Sequence, residues 1–147
     1  MLNQDFKEFI QSLNDNQVRY LVIGGYAVAL HGYPRYTKDI DIWVEMTPEN
    51  AACMIQSLEQ FGFAALDLRA EDFLTPDQVI QLGYPPNHID LITTPDGIDF
   101  ATCYATYVEV EMDGTSVKFI DLENLRLNKR ASGRLQDLAD LENLPNN

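Results

Sequence analysis

Apolar residues recur along the chain with two different periods, and the switches between them mark out its elements. Phe6, Phe9, Ile10 and Leu13 sit at helical spacing, which predicts a short amphipathic helix over residues 3–14. The run RYLVIGG (19–25) is a compact apolar strand ended by two glycines. YAVALHG then suits a short helix closed by Gly32, with YPRY as a turn. DIDIWVE (39–45) alternates with period two and reads as a strand. In TPENAACMIQSLEQFGF, Thr47 is an N-cap and Pro48 the first helical residue. Met54, Ile55, Leu58 and Phe61 fall on one face, and Gly62 is the stop.

Residues 63–86 carry the weakest pattern, from which a short helix is expected between Thr75 and about Leu82. NHIDLITT (87–94) is another strand, and YVEVEMDGTSVKFI (107–120) is a hairpin turning at Asp113-Gly114, a pair suited to a type I′ turn. From Asp121 onward the chain reads as helical, with Leu122, Leu125, Leu135, Leu138 and Leu141 as apolar positions and Gly133 as a break. This order predicts an α/β (α+β) fold, a mixed β-sheet flanked by helices, as a single domain over residues 1–147.

Composition narrows the partners. The net charge is −13, with ten Lys and Arg residues, which argues against broad contact with nucleic acid. It leaves room for an anionic substrate whose contact is mediated by a cation. No apolar run approaches the roughly 18 residues a membrane span needs, and MLNQDFKEFI lacks the pattern of a signal peptide. A cytoplasmic protein without a membrane partner is expected. Cys53 and Cys103 have no metal-ligand spacing and are expected as reduced thiols.

The chemistry concentrates in DIDIWV. Strand interiors are depleted in Asp, and like charges on one face repel. Asp39 and Asp41 share a face while Ile40, Ile42 and Val44 take the other. Two carboxylates so placed can share a divalent cation, although the wet face of an antiparallel strand would also accommodate them. HIDLIT repeats the device with Asp90 between Ile89 and Leu91. If the two strands are neighbours, three carboxylates converge as metal-assisted phosphoryl or nucleotidyl transfer requires. Asp96 and Asp99 follow closely, but Asp90 alone lies inside an apolar strand pattern.

Gly24 and Gly25 stand between a strand and a helix start, where free N–H groups attract phosphate; a plain tight turn is the other reading. Trp43 shares the face of the Asp pair and either walls a pocket or packs under a helix. His31 and His88 have no metal spacing. His31 is expected as a helix-end cap or a surface residue, and His88 as a surface residue, with contact to substrate as its other reading.

The segment GGYAVALHGYPRYTKDIDIWV resembles the signature of the DNA polymerase β-type nucleotidyltransferase superfamily, in its small single-domain bacterial branch. The resemblance implies an active site of Gly24, Gly25, Arg35, Thr37, Asp39, Asp41 and Asp90, with the three aspartates holding Mg²⁺ or Mn²⁺. LENLRLNKRASGRLQDLADLENL is similar to the tail of the branch that includes abortive-infection toxin nucleotidyltransferases. That likeness implies nucleotide contacts from Lys129 and Arg134, with Asp137 at the matching third position. Ordinary helix-surface pairing, such as Arg134 with Asp137, is the other reading of the tail. No additional helical domain of the kind antibiotic-modifying members use to hold an acceptor is expected, and residues 63–86 carry no motif of the resemblance.

The implied activity is metal-dependent transfer of a nucleoside monophosphate from a nucleoside triphosphate, ATP among the candidates, to an acceptor hydroxyl on tRNA, a protein or a small molecule. A toxin-like version would bring a cognate antitoxin as partner, and a second copy of the chain is the other partner considered. The alternative is a non-catalytic nucleotide-binding or interaction module that keeps the fold.

Overall fold

In the computed structural model, residues 2–34, 36–62, 67–83 and 86–145 are described. Helix α1 (Gln4–Asp15) is capped by Asn3 and buries Phe6, Phe9, Ile10 and Leu13, the stripe its sequence period requires. Strand β1 (Tyr20–Ile23) is buried on both faces. Helix α2 (Gly24–Leu30) starts at the glycine pair itself and is capped by His31, whose Nε2 lies 2.8 Å from the Ile120 carbonyl. Strand β2 (Ile40–Val44) follows, then α3 (Pro48–Phe61) with Thr47 as N-cap, Pro48 in its first turn and Gly62 as C-cap.

Strands β3 (Val79–Leu82) and β4 (Ile89–Ile92) and the short α4 (Phe100–Tyr104) come next. Then β5 (Val108–Met112) and β6 (Thr115–Phe119) form the hairpin, with both Asp113 and Gly114 at positive φ as a type I′ turn demands. Helices α5 (Leu122–Ser132) and α6 (Leu135–Asn143) close the described chain, broken at Gly133.

The six strands form one mixed sheet in the order β3-β4-β2-β1-β6-β5. The β2–β4 and β1–β6 pairs are parallel, and the others are antiparallel. α1 packs against α3 and β6, α2 against β1 and β2, and α5 against α6 and α2. A buried Asn50 ties the sheet to α3: its Oδ1 accepts from the Arg19 amide at 2.7 Å, and its Nδ2 donates to the Arg19 and Glu45 carbonyls. Trp43 is buried, donates to the Thr93 carbonyl at 3.1 Å and meets Phe100 edge-on, so it packs under α4. Cys53 and Cys103 are free thiols, and burial pushes the Cys103 thiol up to about 11.

The fold corrects one expectation. The helix from Thr75 to Leu82 does not form; a 3₁₀ turn at Ala70–Phe73 and the strand β3 stand there instead. The Thr75-Pro76 start imitates a helix cap, but its backbone is captured from the side. Asp77 N donates to Thr94 Oγ1 at 2.7 Å, Gln78 N to Thr93 Oγ1, and Thr93 Oγ1 to the Thr75 carbonyl. Val79 and Ile80, which are β-branched, then pair with Ile92 and Leu91 of β4. Eight residues are in any case too few to hold a helix without strong packing.

Candidate active site

The carboxylates come together through register. Asp41 lies directly opposite Asp90 in the parallel β2–β4 pair, and Ile40 faces Ile89 and Ile42 faces Leu91 on the opposite side of the sheet. Neighbouring strands are about 5 Å apart, so two side chains on one face at matched register must touch. Here the two carboxyls stand side by side on the cleft floor, where their charges repel. Burial, then the charge of Asp90, push the Asp41 carboxyl up to about 7, against a smaller opposing pull from Lys129. A divalent cation would remove this repulsion, and the oxygen-only donor pair fits such an ion.

Asp39 stands just before β2 and is held differently. Its Oδ1 accepts from the His88 amide at 2.9 Å and lies 3.4 Å from His88 Nδ1. Among the described residues, no three His, Cys, Asp or Glu side chains converge as a preassembled metal cage. Thr37 fixes the approach to β2 by donating its Oγ1 to the Asp39 carbonyl at 3.0 Å.

The glycines explain themselves by what surrounds them. Gly24 has φ +69°, and a Cβ there would stand 2.1 Å from Asp41 Oδ2. A Cβ on Gly25 would meet Thr37 at 3.1 Å. Gly24→Ala is therefore expected to cost about 1–2 kcal/mol in backbone strain alone, and to drive Asp41 away from Asp90. Thermal melts and ATP titration of Gly24→Ala and Gly25→Ala should show the larger loss at Gly24. Equal, small effects would mean that the glycines serve only the turn.

The C-terminal helices form the far wall. Lys129 is buried, with Nζ at 2.8 Å from Asp137 Oδ1 and 3.1 Å from Asp140 Oδ2. Asp137 also takes hydrogen bonds from Ser132 and from Arg134 Nε at 3.0 Å. Burial alone would raise its pKa, but the bonds from Lys129, Ser132 and Arg134 outweigh it and hold the carboxyl below its ordinary range. The loop before α4 docks on α5: Asn128 Nδ2 donates to the Asp96 carbonyl at 2.8 Å, and Gly97 lies so close to Ala131 that a Cβ would approach it to 2.4 Å.

These walls enclose a cleft of about 540 Å³, lined by Gly24, Gly25, Thr37, Asp39, Asp41, Asp90, Lys129 and Arg134 among others. Every sequence-predicted site residue that is described thus faces one cleft. Arg35 lies outside the described residues. Asp99 does not compete for the carboxylate role. It caps α4 by accepting from Thr102 N and Oγ1, bonds that hold it below its ordinary range. Asp96 lines the cleft beside Asp77, Gln78 and Asn128.

Two contacts of the cleft carboxylates had no signal in the sequence: the grip of His88 on Asp39, and Gln81 Nε2 donating to Asp90 Oδ1 at 3.1 Å. Gln81 could have been found only by recognising β3.

The sequence profile of a family described as nucleotidyltransferases of unknown function, DUF6036, matches residues 1–144. The chain belongs to this nucleotidyltransferase family. No curated protein sequence matches it. Solved structures similar to this DUF6036 chain include TM1012 of Thermotoga maritima, provisionally classed as a nucleotidyltransferase. It is 18% identical with a TM-score of 0.59, and the match covers 93% of this chain and 88% of that one. The lincosamide antibiotic adenylyltransferase LnuA, with lincomycin bound, is 14% identical with a TM-score of 0.57, covering 97% and 96%. An antigenic nucleotidyltransferase-like protein of Paracoccidioides brasiliensis is 18% identical with a TM-score of 0.52, covering 97% and 76%. At such identities the likeness is one of fold. None of the described helices is long and apolar enough to cross a membrane.

Proposed function

We propose that this DUF6036 chain moves a nucleoside monophosphate from a nucleoside triphosphate to an acceptor hydroxyl, with Mg²⁺ held by Asp41 and Asp90 and completed by Asp39. The observation that carries this reading is the matched register of Asp41 and Asp90, two facing carboxyls on the floor of a cleft whose wall holds a lysine. The ion, when bound, supplies charge neutralisation for the triphosphate and acidifies the acceptor hydroxyl.

The chain's own residues do the rest. Gly24 and Gly25 line the cleft with no side chain of their own, and the side chains of Asp41 and Thr37 pack against their α-carbons. Lys129 has three donors, two of which go to Asp137 and Asp140. The third is assigned to the triphosphate, with Arg134 at the mouth of the cleft. The acceptor oxygen bonds to the α-phosphorus as the bond to the bridging oxygen breaks. Pyrophosphate leaves with that electron pair, and the hydroxyl proton passes to a carboxylate of the site.

Six aspartates line the cleft (39, 41, 77, 90, 96 and 137) against Lys129 and Arg134, and the chain as a whole carries −13. That balance favours an acceptor other than a polyanion such as tRNA. The test is incubation with each α-labelled nucleoside triphosphate and Mg²⁺ or Mn²⁺, following pyrophosphate and label. Metal-dependent pyrophosphate release that Asp90→Asn abolishes is expected. Nucleotide binding without any turnover across a broad acceptor panel would point to a non-catalytic module.

A further inference from the structure

A transferase needs two sites that open into one another, and a second pocket adjoins the cleft. It has a volume of about 350 Å³ and is lined by Tyr26, Ala29, Leu30, Tyr36, Thr37, Met112 and Phe119. Thr37 lines both, so the two spaces meet at this residue. The 540 Å³ cleft lies within the range that small-molecule ligands occupy, as does the smaller pocket.

The linings differ sharply. The cleft carries six aspartates and two cations, whereas the pocket has no ionisable carboxylate, amine or guanidinium among its described residues. Its polar atoms are two phenols and the Thr37 hydroxyl. Tyr26 is set by an edge-on contact with Phe6 at 5.9 Å, and burial, then the charges of Tyr36 and Asp39, push its phenol up. The pocket therefore lies within electrostatic reach of the reacting carboxylates while remaining apolar itself. Tyr36 is largely exposed, at 77%, and stands at the rim.

We infer that this pocket holds the acceptor, and that the acceptor is a small, uncharged molecule with an apolar or aromatic body and a free hydroxyl. A polycation would leave its charges unpaired against Leu30, Met112 and Phe119, which is costly in an apolar site. A folded RNA or protein could insert only one group. The body packs between α2 and the β5–β6 hairpin, and Tyr26 and Tyr36 orient it. Its hydroxyl passes Thr37 into the cleft. There its oxygen bonds to the α-phosphorus, pyrophosphate departs, and the proton goes to the Asp39 carboxylate, which the His88 amide holds at 2.9 Å beside the Thr37 passage.

This inference rests on the transferase reading, and the experiment separates the two. 4-Phenylbutan-1-ol serves as the probe, with kanamycin and bulk tRNA as the charged controls. Saturation-transfer NMR on the metal-free protein should show signal on the phenyl protons. Leu30→Trp and Met112→Trp, from two different elements, should each reduce that signal about tenfold. With labelled ATP and Mg²⁺, label should pass to the alcohol and fall by a similar factor in both variants. Thermal melts identify a variant that fails to fold, and the other then decides.

No probe signal from the wild-type chain, or a signal undiminished in every folded variant, overturns the pocket. Label passing to kanamycin or tRNA, undiminished in the variants, overturns the acceptor class. Failure of ATP to bind the wild-type chain overturns the transferase reading, and with it the acceptor role, even where the probe signal stands.

Discussion

Asp41→Asn is expected to abolish nucleotidyl transfer and, in the absence of metal, to make the chain more stable at pH 8. The carboxyl moves from an ordinary value of 3.8 up to about 7 because burial and the charge of Asp90 disfavour its ionised form. A raised acid contributes its full stability below the unfolded value, and that contribution fades as pH rises through the folded one. The window is therefore pH 4 to 7, and above it the folded chain carries an ionised, half-buried carboxylate that the unfolded chain carries at no cost.

Three pH units at about 1.36 kcal/mol each set a ceiling near 4 kcal/mol. A gain of roughly 2–4 kcal/mol at pH 8, with little change near pH 4, is the expected result of urea melts in a chelator. Pyrophosphate release should fall by about 10³ or more, since a metal-held oxygen supplies several kcal/mol of transition-state stabilisation. Destabilisation at pH 8 would make Asp41 a structural residue.

Lys129→Ala is expected to act on the fold before it acts on nucleotide. The ammonium is buried between Asp137 and Asp140, and Asp140 has no exposed surface. Removing it leaves two negative charges facing each other where α5 meets α6. Breaking a buried pair from one side costs about 3–5 kcal/mol. Denaturant melts should show a loss of that size, and Lys129→Ala combined with Asp140→Asn should recover part of it, because the two sites are coupled. A loss below about 1 kcal/mol would mean that the tail carries little of the fold and that Lys129 is free for the triphosphate alone. Arg134, whose side chain is 79% exposed, should by contrast change nucleotide affinity more than stability.

Much of this site was legible because strand geometry leaves few choices. Alternation fixed the shared face of Asp39 and Asp41, and the apolar flanks of Asp90 singled it out from Asp96 and Asp99. Thr47, Pro48 and Gly62 delimited α3 because capping chemistry is local, and Asp113-Gly114 set its hairpin for the same reason. What could not be read depends on distant partners. β3 exists because Thr93 and Thr94 of the neighbouring segment capture the backbone at Thr75–Gln78. The grip of His88 on Asp39 spans 49 positions and comes only from the parallel pairing of β2 with β4. Likewise, the tail showed its charges but not their depth. Burial turns Lys129, Asp137 and Asp140 from a solvated helix face into a network that holds two helices together.

The central claim is that Asp41 and Asp90 bind a nucleoside triphosphate through a divalent ion. Calorimetric titration of α,β-methylene-ATP, which cannot release pyrophosphate, tests it without any acceptor. The wild-type chain should bind with Mg²⁺ present and release a proton at pH 6 as the ion displaces the one that Asp41 holds. Chelator should remove the binding, and the double variant Asp41→Asn/Asp90→Asn should weaken it by about 100-fold. Equal affinity with and without Mg²⁺, or an undiminished affinity in the double variant, would contradict the account.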